Sequence, residues 1–450
     1  MISFDTLTTR VDEQLPRARA RLEELVRIPT ISSLPAHRDD LRRSAGLIVS
    51  YLDELGFEAR QIELGTPSGL TSRPAIVARR PAKPGNPTVL LYAHHDVQPV
   101  IKEEWDTDPF EPVQKGERLY GRGTADDKVG VSMHLAVLDT LKDDCGVGIT
   151  LFIEGEEEVG SPTFRDFLET YRDELAADII IVADSSNWKS GIPSLTVSLR
   201  GVTGVKVCLD VLEHGVHSGE FGGPIIDAAT AMCRLIATCH DERGNVAVVG
   251  LDSYEASGPE YAEDDFRADS SLLEGCELVG EGSLVSRLWT KPALDLIGMD
   301  VTSCENASNT LIPSCTARLS LRVAPGQDPA EAAEALRKHL LDNVPFGARI
   351  DVEIEEAGPS FRGDTSFPAA QLMREALEEA YGHEVVDIGV GGSIPFIADF
   401  QNLFPDAEVL VTGVSDPDAR LHANNESLYL PDWRAGILSE ALFISRLETA

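Results

Sequence analysis

Apolar residues recur at helical spacing from Val11 to Val26 and again from Leu41 to Leu55, where Gly56 stops the run. Short β-rich runs follow at Ala75–Ala78 and Thr88–Tyr92. The pattern then alternates between a helix from about Lys128 to Leu141, a strand at Val147–Ile153, a helix through Phe164–Tyr171 and a strand at Asp178–Val182. Strands alternating with helices predict an α/β fold, a mostly parallel sheet covered by helices on both faces. In such sheets reactive groups collect beyond the carboxyl ends of the strands.

From about Thr196 the pattern changes. Val205–Val211 reads as a strand and Pro224–Cys239 as a helix, followed by a long acidic stretch. Strands at Ala293–Val301 and Cys315–Val323, a helix at Pro329–Leu341 and a strand at Arg349–Ile354 come next. That order, β-α-β-β-α-β, is the ferredoxin-like split unit. After Gly358 come a helix (Pro368–Tyr381), a Gly-rich turn (Gly389–Ser393), a strand (Glu408–Val411) and a last helix (Trp433–Leu447). A small domain over 196–358 is therefore expected inside a larger one made of 1–195 and 359–450. A length of 450 residues suits two such domains.

Charge narrows the class of partner. The chain carries 75 acidic and 39 basic side chains, a formal net charge of −36, spread along its length. Such a surface repels nucleic acid and anionic membranes, so neither is an expected partner. Seven cysteines with no C-x-x-C pair argue against a disulfide framework and a thiolate metal site. The first residues show no apolar signal core, and no run approaches the ~18 apolar residues of a membrane span. A soluble cytoplasmic protein is expected.

Carboxylates and histidines gather where strands should end. LYAHHDVQP supplies His94 and Asp96, which share one side of an extended segment, with His95 pointing the other way. His94 can bind a metal through one ring nitrogen while Asp96 fixes the other. GRGTADDKVG is a glycine-rich turn opening a helix, but it lacks the G-K-[ST] ending of a phosphate loop. Its Asp126 and Asp127 would also repel phosphate. Asp126 is the candidate bridging ligand, with Asp127 in support. EGEEEVGS crowds Glu154, Glu156, Glu157 and Glu158 together, which is costly unless cations neutralise them or some point into solvent. One of these carboxylates is expected to bind metal while its neighbour serves as general base. Two divalent ions about 3.5–4 Å apart can share a carboxylate, polarise a carbonyl and turn a water into a nucleophile. The residues thus point to a metal-dependent amide hydrolase.

H-x-D-V-Q-P, L-Y-G-R-G-x-x-D-D-K and E-E-x-G-S together resemble the co-catalytic di-zinc peptidases. That family includes carnosinases, cytosolic non-specific dipeptidases, bacterial glutamate carboxypeptidase, acetylornithine deacetylase and succinyl-diaminopimelate desuccinylase. The resemblance spans nearly the whole chain. It implies that His94 and Asp184 hold one ion, Glu158 and His422 the other, and that Asp126 bridges them. It also implies Glu157 as general base, Asp96 as the residue orienting His94, and a cis peptide after Asp126. HSGEFGG resembles a lid motif whose histidine, here His217, reaches a neighbouring subunit's site and stabilises an oxyanion, which implies a homodimer through the inserted domain. Arg322 in LSLRVAP, and Gly392 and Ser393 in GGSIPF, match positions that grip the substrate's C-terminal carboxylate, and Asn309 in NTLIP matches a further lid contact.

GGSIP with DVQP sits nearer to the carnosinase and dipeptidase branch than to the deacylases, although Ala93 stands where that branch commonly has glycine. The nitrogen and oxygen ligands suit zinc and also admit manganese or cobalt. The expected activity is cleavage of a dipeptide or short peptide with a free C-terminal carboxylate. The alternative is an N-acyl-amino-acid deacylase using the same site. A third class, an inactive relative kept as a scaffold, would lack a ligand or the base, and none is missing.

Overall fold

A computed structural model describes residues 2–355, 357–392 and 395–448 of the chain. The apolar runs at Thr88–His94, Gly148–Glu154 and Ile179–Val182 form the middle of a six-stranded sheet. Thr88–His94 pairs in parallel with both neighbours, and Glu408–Val411 extends the parallel part beyond Ile179–Val182. On the opposite side Ala75–Arg80 and Glu58–Ile62 complete the sheet antiparallel. The sheet is therefore parallel only over four strands. Glu58–Ile62 gives no strand pattern in the sequence because it is an exposed edge of sequence EARQI, with no buried face to impose alternation.

Both faces of this sheet are covered. The helices Phe4–Val26, Lys128–Leu141, Pro368–Tyr381 and Leu430–Leu447 share a core with Val89, Leu91 and Ala93. Lys128–Leu141 is buried along all 14 of its residues, which explains why its apolar positions are not confined to one stripe. Toward the other face Tyr92 and Phe152 meet Phe164, Phe167, Phe396 and Phe400 in edge-to-face, tilted and stacked pairs. The helix Pro395–Leu403, which supplies the last two rings, is one the sequence pattern did not predict.

The chain divides into two compact units: Met1–Val197, Gly363–Ile388 and Phe396–Ala450 form one, and Ser198–Arg362 with Gly389–Pro395 forms the other. The second unit holds a four-stranded antiparallel sheet, in the order Ala293–Asp300, Ser314–Val323, Gly201–Asp210, Arg349–Ile354. Alternate residues of Gly201–Asp210 are buried, and Val205, Val207 and Leu209 pack with Leu235 of helix Ala228–Ala237 and Leu336 of helix Pro329–Asp342. Among the described residues no helix is long and apolar enough to cross a membrane.

Candidate di-metal active site

Parallel strands deliver the acids to one end of the first unit's sheet. Thr88–His94 ends on His94 with Asp96 just beyond, Gly148–Glu154 runs into Glu156–Glu158, and Ile179–Val182 leads to Asp184. Asp126 stands between two imidazoles: its Oδ1 is 3.0 Å from His94 Nε2 and its Oδ2 is 3.0 Å from His422 Nε2. Asp184 Oδ2 lies 3.9 Å from His94 Nε2, and Glu158 Oε2 lies 3.3 Å from His422 Nε2. Two donor sets result, His94–Asp126–Asp184 and Asp126–Glu158–His422, each with its atoms within 4.8 Å of one another. Glu157 Oε2 approaches His94 Nε2 to 4.0 Å.

The donor chemistry fits two divalent cations. Every donor is nitrogen or oxygen, Asp126 offers one oxygen to each set, and Glu158 Oε1 is buried with no hydrogen-bond partner among the described residues. A buried carboxylate oxygen without a partner is costly unless a cation satisfies it.

Residues 90–446 match the peptidase family M20/M25/M40. The chain belongs to that family. It is similar to the cysteinylglycine-S-conjugate dipeptidase of Corynebacterium striatum, 34% identical over 98% of this chain and 99% of the relative. It is also similar to the Cys-Gly metallodipeptidase DUG1 of Saccharomyces cerevisiae, 24% identical over 98% of each chain. The structure of human carnosine dipeptidase 1 has the same fold, with a TM-score of 0.82 over the full length of both chains at 22% identity. This M20 peptidase is thus a metallopeptidase, a metal-dependent hydrolase of peptide bonds with a di-metal site, near the carnosinase and Cys-Gly dipeptidase branch.

Backbone donors hold the acids of the M20 site in place. Asp96 lies 3.3 Å from His94 Nδ1, and its two oxygens accept the N–H groups of Glu157 (3.2 Å) and Glu158 (3.1 Å). One carboxylate therefore both orients the histidine and pins the acidic turn. Asp127 caps the buried helix, accepting from Gly130 N at 3.0 Å, and accepts from His94 N at 3.2 Å with its other oxygen. The Asp126–Asp127 peptide is cis. His95 turns away, with its Nε2 2.8 Å from Pro74 O. His422 has φ +60, a left-handed conformation that is uncommon for a residue with a side chain and clusters at functional sites.

Two supports escaped the sequence reading. Gln98, part of the DVQP run, donates to Glu158 Oε2 at 2.6 Å. Glu426 is fully buried, pairs with Arg122 at 2.6 Å, and accepts from the N–H groups of Gly123, Ala125 and Asp126. It ties the segment carrying His422 to the turn carrying Asp126. The available signal was an acid four residues beyond one ligand and an arginine four residues before the other.

His217, Asn309, Arg322 and Gly392 all belong to the second unit. His217 is exposed, accepts from Gly219 N at 3.1 Å and pairs in register with Thr310, next to Asn309. Arg322 lies on Ser314–Val323, opposite Val202. Ser393 lies outside the described residues.

The protein's own charges favour protons at this site. Burial pushes Asp184 up to about 7, with nearby carboxylates adding to the shift, and pushes Glu157 well above the usual carboxylate range. Burial opposes charge on His94, yet Asp126 and Asp96 lift it well above its ordinary value. Asp126 and Glu158 raise His422 to about 10. The folded, metal-free protein therefore binds more protons than the unfolded chain, through Asp184 from about pH 4 to 7 and through His422 from about pH 6.5 to 10. These two groups make stability fall as pH rises through their windows, while buried Lys128, lowered to about 7, and buried His95, lowered to about 4, act in the opposite direction more weakly between pH 6 and 8. Metal ions compete with those protons, so they should stabilise the protein more at pH 8 than at pH 6. Calorimetric melting with and without chelator at both pH values reads this directly. A metal-free melting temperature that climbs between pH 6 and 8 contradicts it.

Glu426→Gln should weaken metal binding roughly 10- to 100-fold by misplacing the Asp126 turn. It should also cost about 3–5 kcal/mol of stability, because Arg122 stays buried without its counter-charge. Competitive chelator titration and urea unfolding measure the two effects; wild-type metal affinity in the variant would remove Glu426 from the site's support.

Proposed function

We propose that this M20 peptidase is a dipeptidase, cleaving the amide bond of dipeptides or short peptides next to a free C-terminal carboxylate. The observation that carries the reading is Asp126 set between His94 and His422, with Glu157 beside them. In this reading His94 and Asp184 hold one ion, Glu158 and His422 the other, and Asp126 bridges both. The nitrogen and oxygen donors suit zinc, with manganese or cobalt also accommodated. Bound there, the ions would polarise the scissile carbonyl and acidify a water.

The remaining work falls to side chains. Glu157 takes the proton of the attacking water at its carboxylate and passes it to the leaving amine, a task suited to a carboxyl whose proton affinity burial has raised. Asp96 keeps His94 in one ring orientation and holds the backbone under Glu157. His217, supplied by the second copy of a homodimer, would donate to the developing oxyanion. Arg322, Gly392 and Ser393 would hold the substrate's C-terminal carboxylate, for which a planar guanidinium is well matched, with Asn309 as a further lid contact.

We read 1–195 with 359–450 as the catalytic domain and 196–358 as a ferredoxin-like lid and dimerisation domain. The β-α-β-β-α-β order of that insert and its antiparallel sheet support this. Dipeptides are favoured as substrates because the relatives of Corynebacterium striatum and Saccharomyces cerevisiae are both named for dipeptide hydrolysis. A cytoplasmic location accords with seven free cysteines.

Turnover of an unblocked dipeptide should exceed that of its N-acetylated counterpart on enzyme refilled with zinc or manganese. The opposite preference would move the protein to the deacylases while leaving the ligands in place. Glu157→Gln should keep its metal content and lose about 10²–10⁴ in kcat. Full turnover by a metal-replete variant would exclude Glu157 as the base.

A further inference from the structure

Arg200 immediately precedes Gly201–Asp210, one of the two inner strands of the second unit's sheet, and is only 8% exposed. Among the described residues its partners are all carbonyl oxygens. Its backbone N–H donates to Val390 O at 3.2 Å and its Nε to Gly391 O at 3.1 Å. Its Nη1 donates to Lys291 O at 3.2 Å and Arg287 O at 3.4 Å, carbonyls at the end of helix Leu284–Trp289. A buried guanidinium with no carboxylate in direct contact among the described residues, Asp295 acting on it only from a distance, is an expensive way to stabilise a fold. Burial, and after it the charge of Arg322, lowers Arg200 to about 10.

The loop that Arg200 holds is seated without room to spare. A Cβ on Gly391 would lie 2.8 Å from Arg200 Nη2 and 3.1 Å from Leu288 O. A Cβ on Gly389 would lie 2.6 Å from Trp289 Cβ and 2.8 Å from Ser198 Oγ. The glycines of this run are therefore places where the chain lies directly on Arg200 and the end of helix Leu284–Trp289. Two consecutive carbonyls, of Val390 and Gly391, are drawn to Arg200. In a trans peptide the C=O and N–H point in opposite directions. Fixing those carbonyls turns the N–H groups of Gly391 and Gly392 away from Arg200, as a pair of oriented donors.

We propose that Arg200 is a positioning residue for substrate selection: its backbone N–H holds the Val390 carbonyl and its guanidinium the Gly391 carbonyl, so that the N–H groups of Gly391 and Gly392 present a rigid cradle for a carboxylate. It touches the loop and not the substrate. The inference rests on the reading above that this loop receives the substrate's C-terminal carboxylate. Lysine cannot replace arginine here, because a single ammonium cannot serve Gly391 and the helix-end carbonyls together.

The test compares a dipeptide with the same dipeptide carrying a C-terminal amide, on wild type, Arg200→Met, Arg200→Lys and Gly391→Ala, each checked for metal content and melting temperature. Wild type should prefer the free acid. Arg200→Met should raise KM for the acid roughly 10- to 100-fold with little change in kcat, the signature of lost uniform binding. It should leave kcat/KM for the amide near its wild-type value, and Arg200→Lys should recover little. Gly391→Ala, which forces a methyl into Arg200, should reproduce the selective loss and decides the matter if Arg200→Met does not fold. Equal loss on acid and amide, or rescue by lysine, overturns the role of Arg200. Equal turnover of acid and amide by wild type overturns the carboxylate reading itself.

Discussion

Mutual repulsion among buried carboxylates governs the first unit. Asp96, Asp126, Asp127, Glu154 and Glu156 are all buried near one end of a parallel sheet, with Glu157, Glu158 and Asp184 partly so. Nothing in an α/β fold requires such a concentration of like charge, and it persists only because opposing donors are built around it. Asp96 takes two backbone N–H groups, Asp127 takes two, and Glu426 takes three together with Arg122. Glu156 takes the N–H groups of Arg73 and Thr163. The acids satisfied in this way are the supporting ones. Those left facing the histidines, Asp126, Glu158 and Asp184, make up the two donor sets. This division between carboxylates held by backbone donors and carboxylates turned toward the histidines separates scaffold from site more sharply than sequence position does.

Much of this was legible in the sequence because burial and chemistry left separate marks. Thr88–His94, Gly148–Glu154 and Ile179–Val182 read as strands since both their faces are covered and their residues run almost continuously apolar. The ligands were legible where several share a segment, as in HHD, ADD and EGEEE. Asp184 and His422 stand alone and carry no local signature; only resemblance to a family pointed to them. Glu426 was invisible for a different reason. Its role depends on three backbone N–H groups some three hundred residues earlier, and hydrogen bonds of that kind leave no trace in periodicity. The exposed strand Glu58–Ile62 shows the same limit in the fold, since pairing at a sheet edge needs no pattern in the side chains.

The second unit solves the opposite electrostatic problem. In a chain of formal charge −36, it places two arginines, Arg200 and Arg322, near enough that the charge of one depresses the proton affinity of the other. Like charges are kept close at a cost, as on the metal side, but with the sign reversed. Among the described residues the buried Arg200 is bound only to carbonyls, and Asp295 offsets its charge without pairing with it. On the proposed reading, an acidic protein thereby retains one place that welcomes an anionic group, set apart in sequence from the acids that take cations.

That contrast bears on which substrate the whole charge distribution suits. A dipeptide with a free amine is a zwitterion of no net charge near neutral pH, whereas an N-acyl amino acid carries a full negative charge. The carboxylate grip is the same for both, so it does not discriminate between them. The surrounding field does: a surface with nearly twice as many acids as bases opposes the approach of an anion and leaves a zwitterion almost unaffected. On the dipeptidase reading, the substrate's amine would approach a site rich in carboxylates, Asp184, Glu157 and Glu158 among them. On the proposed reading, the charge balance of the chain adds to the case for the dipeptide through the cost of bringing each candidate to the site, independently of any particular contact.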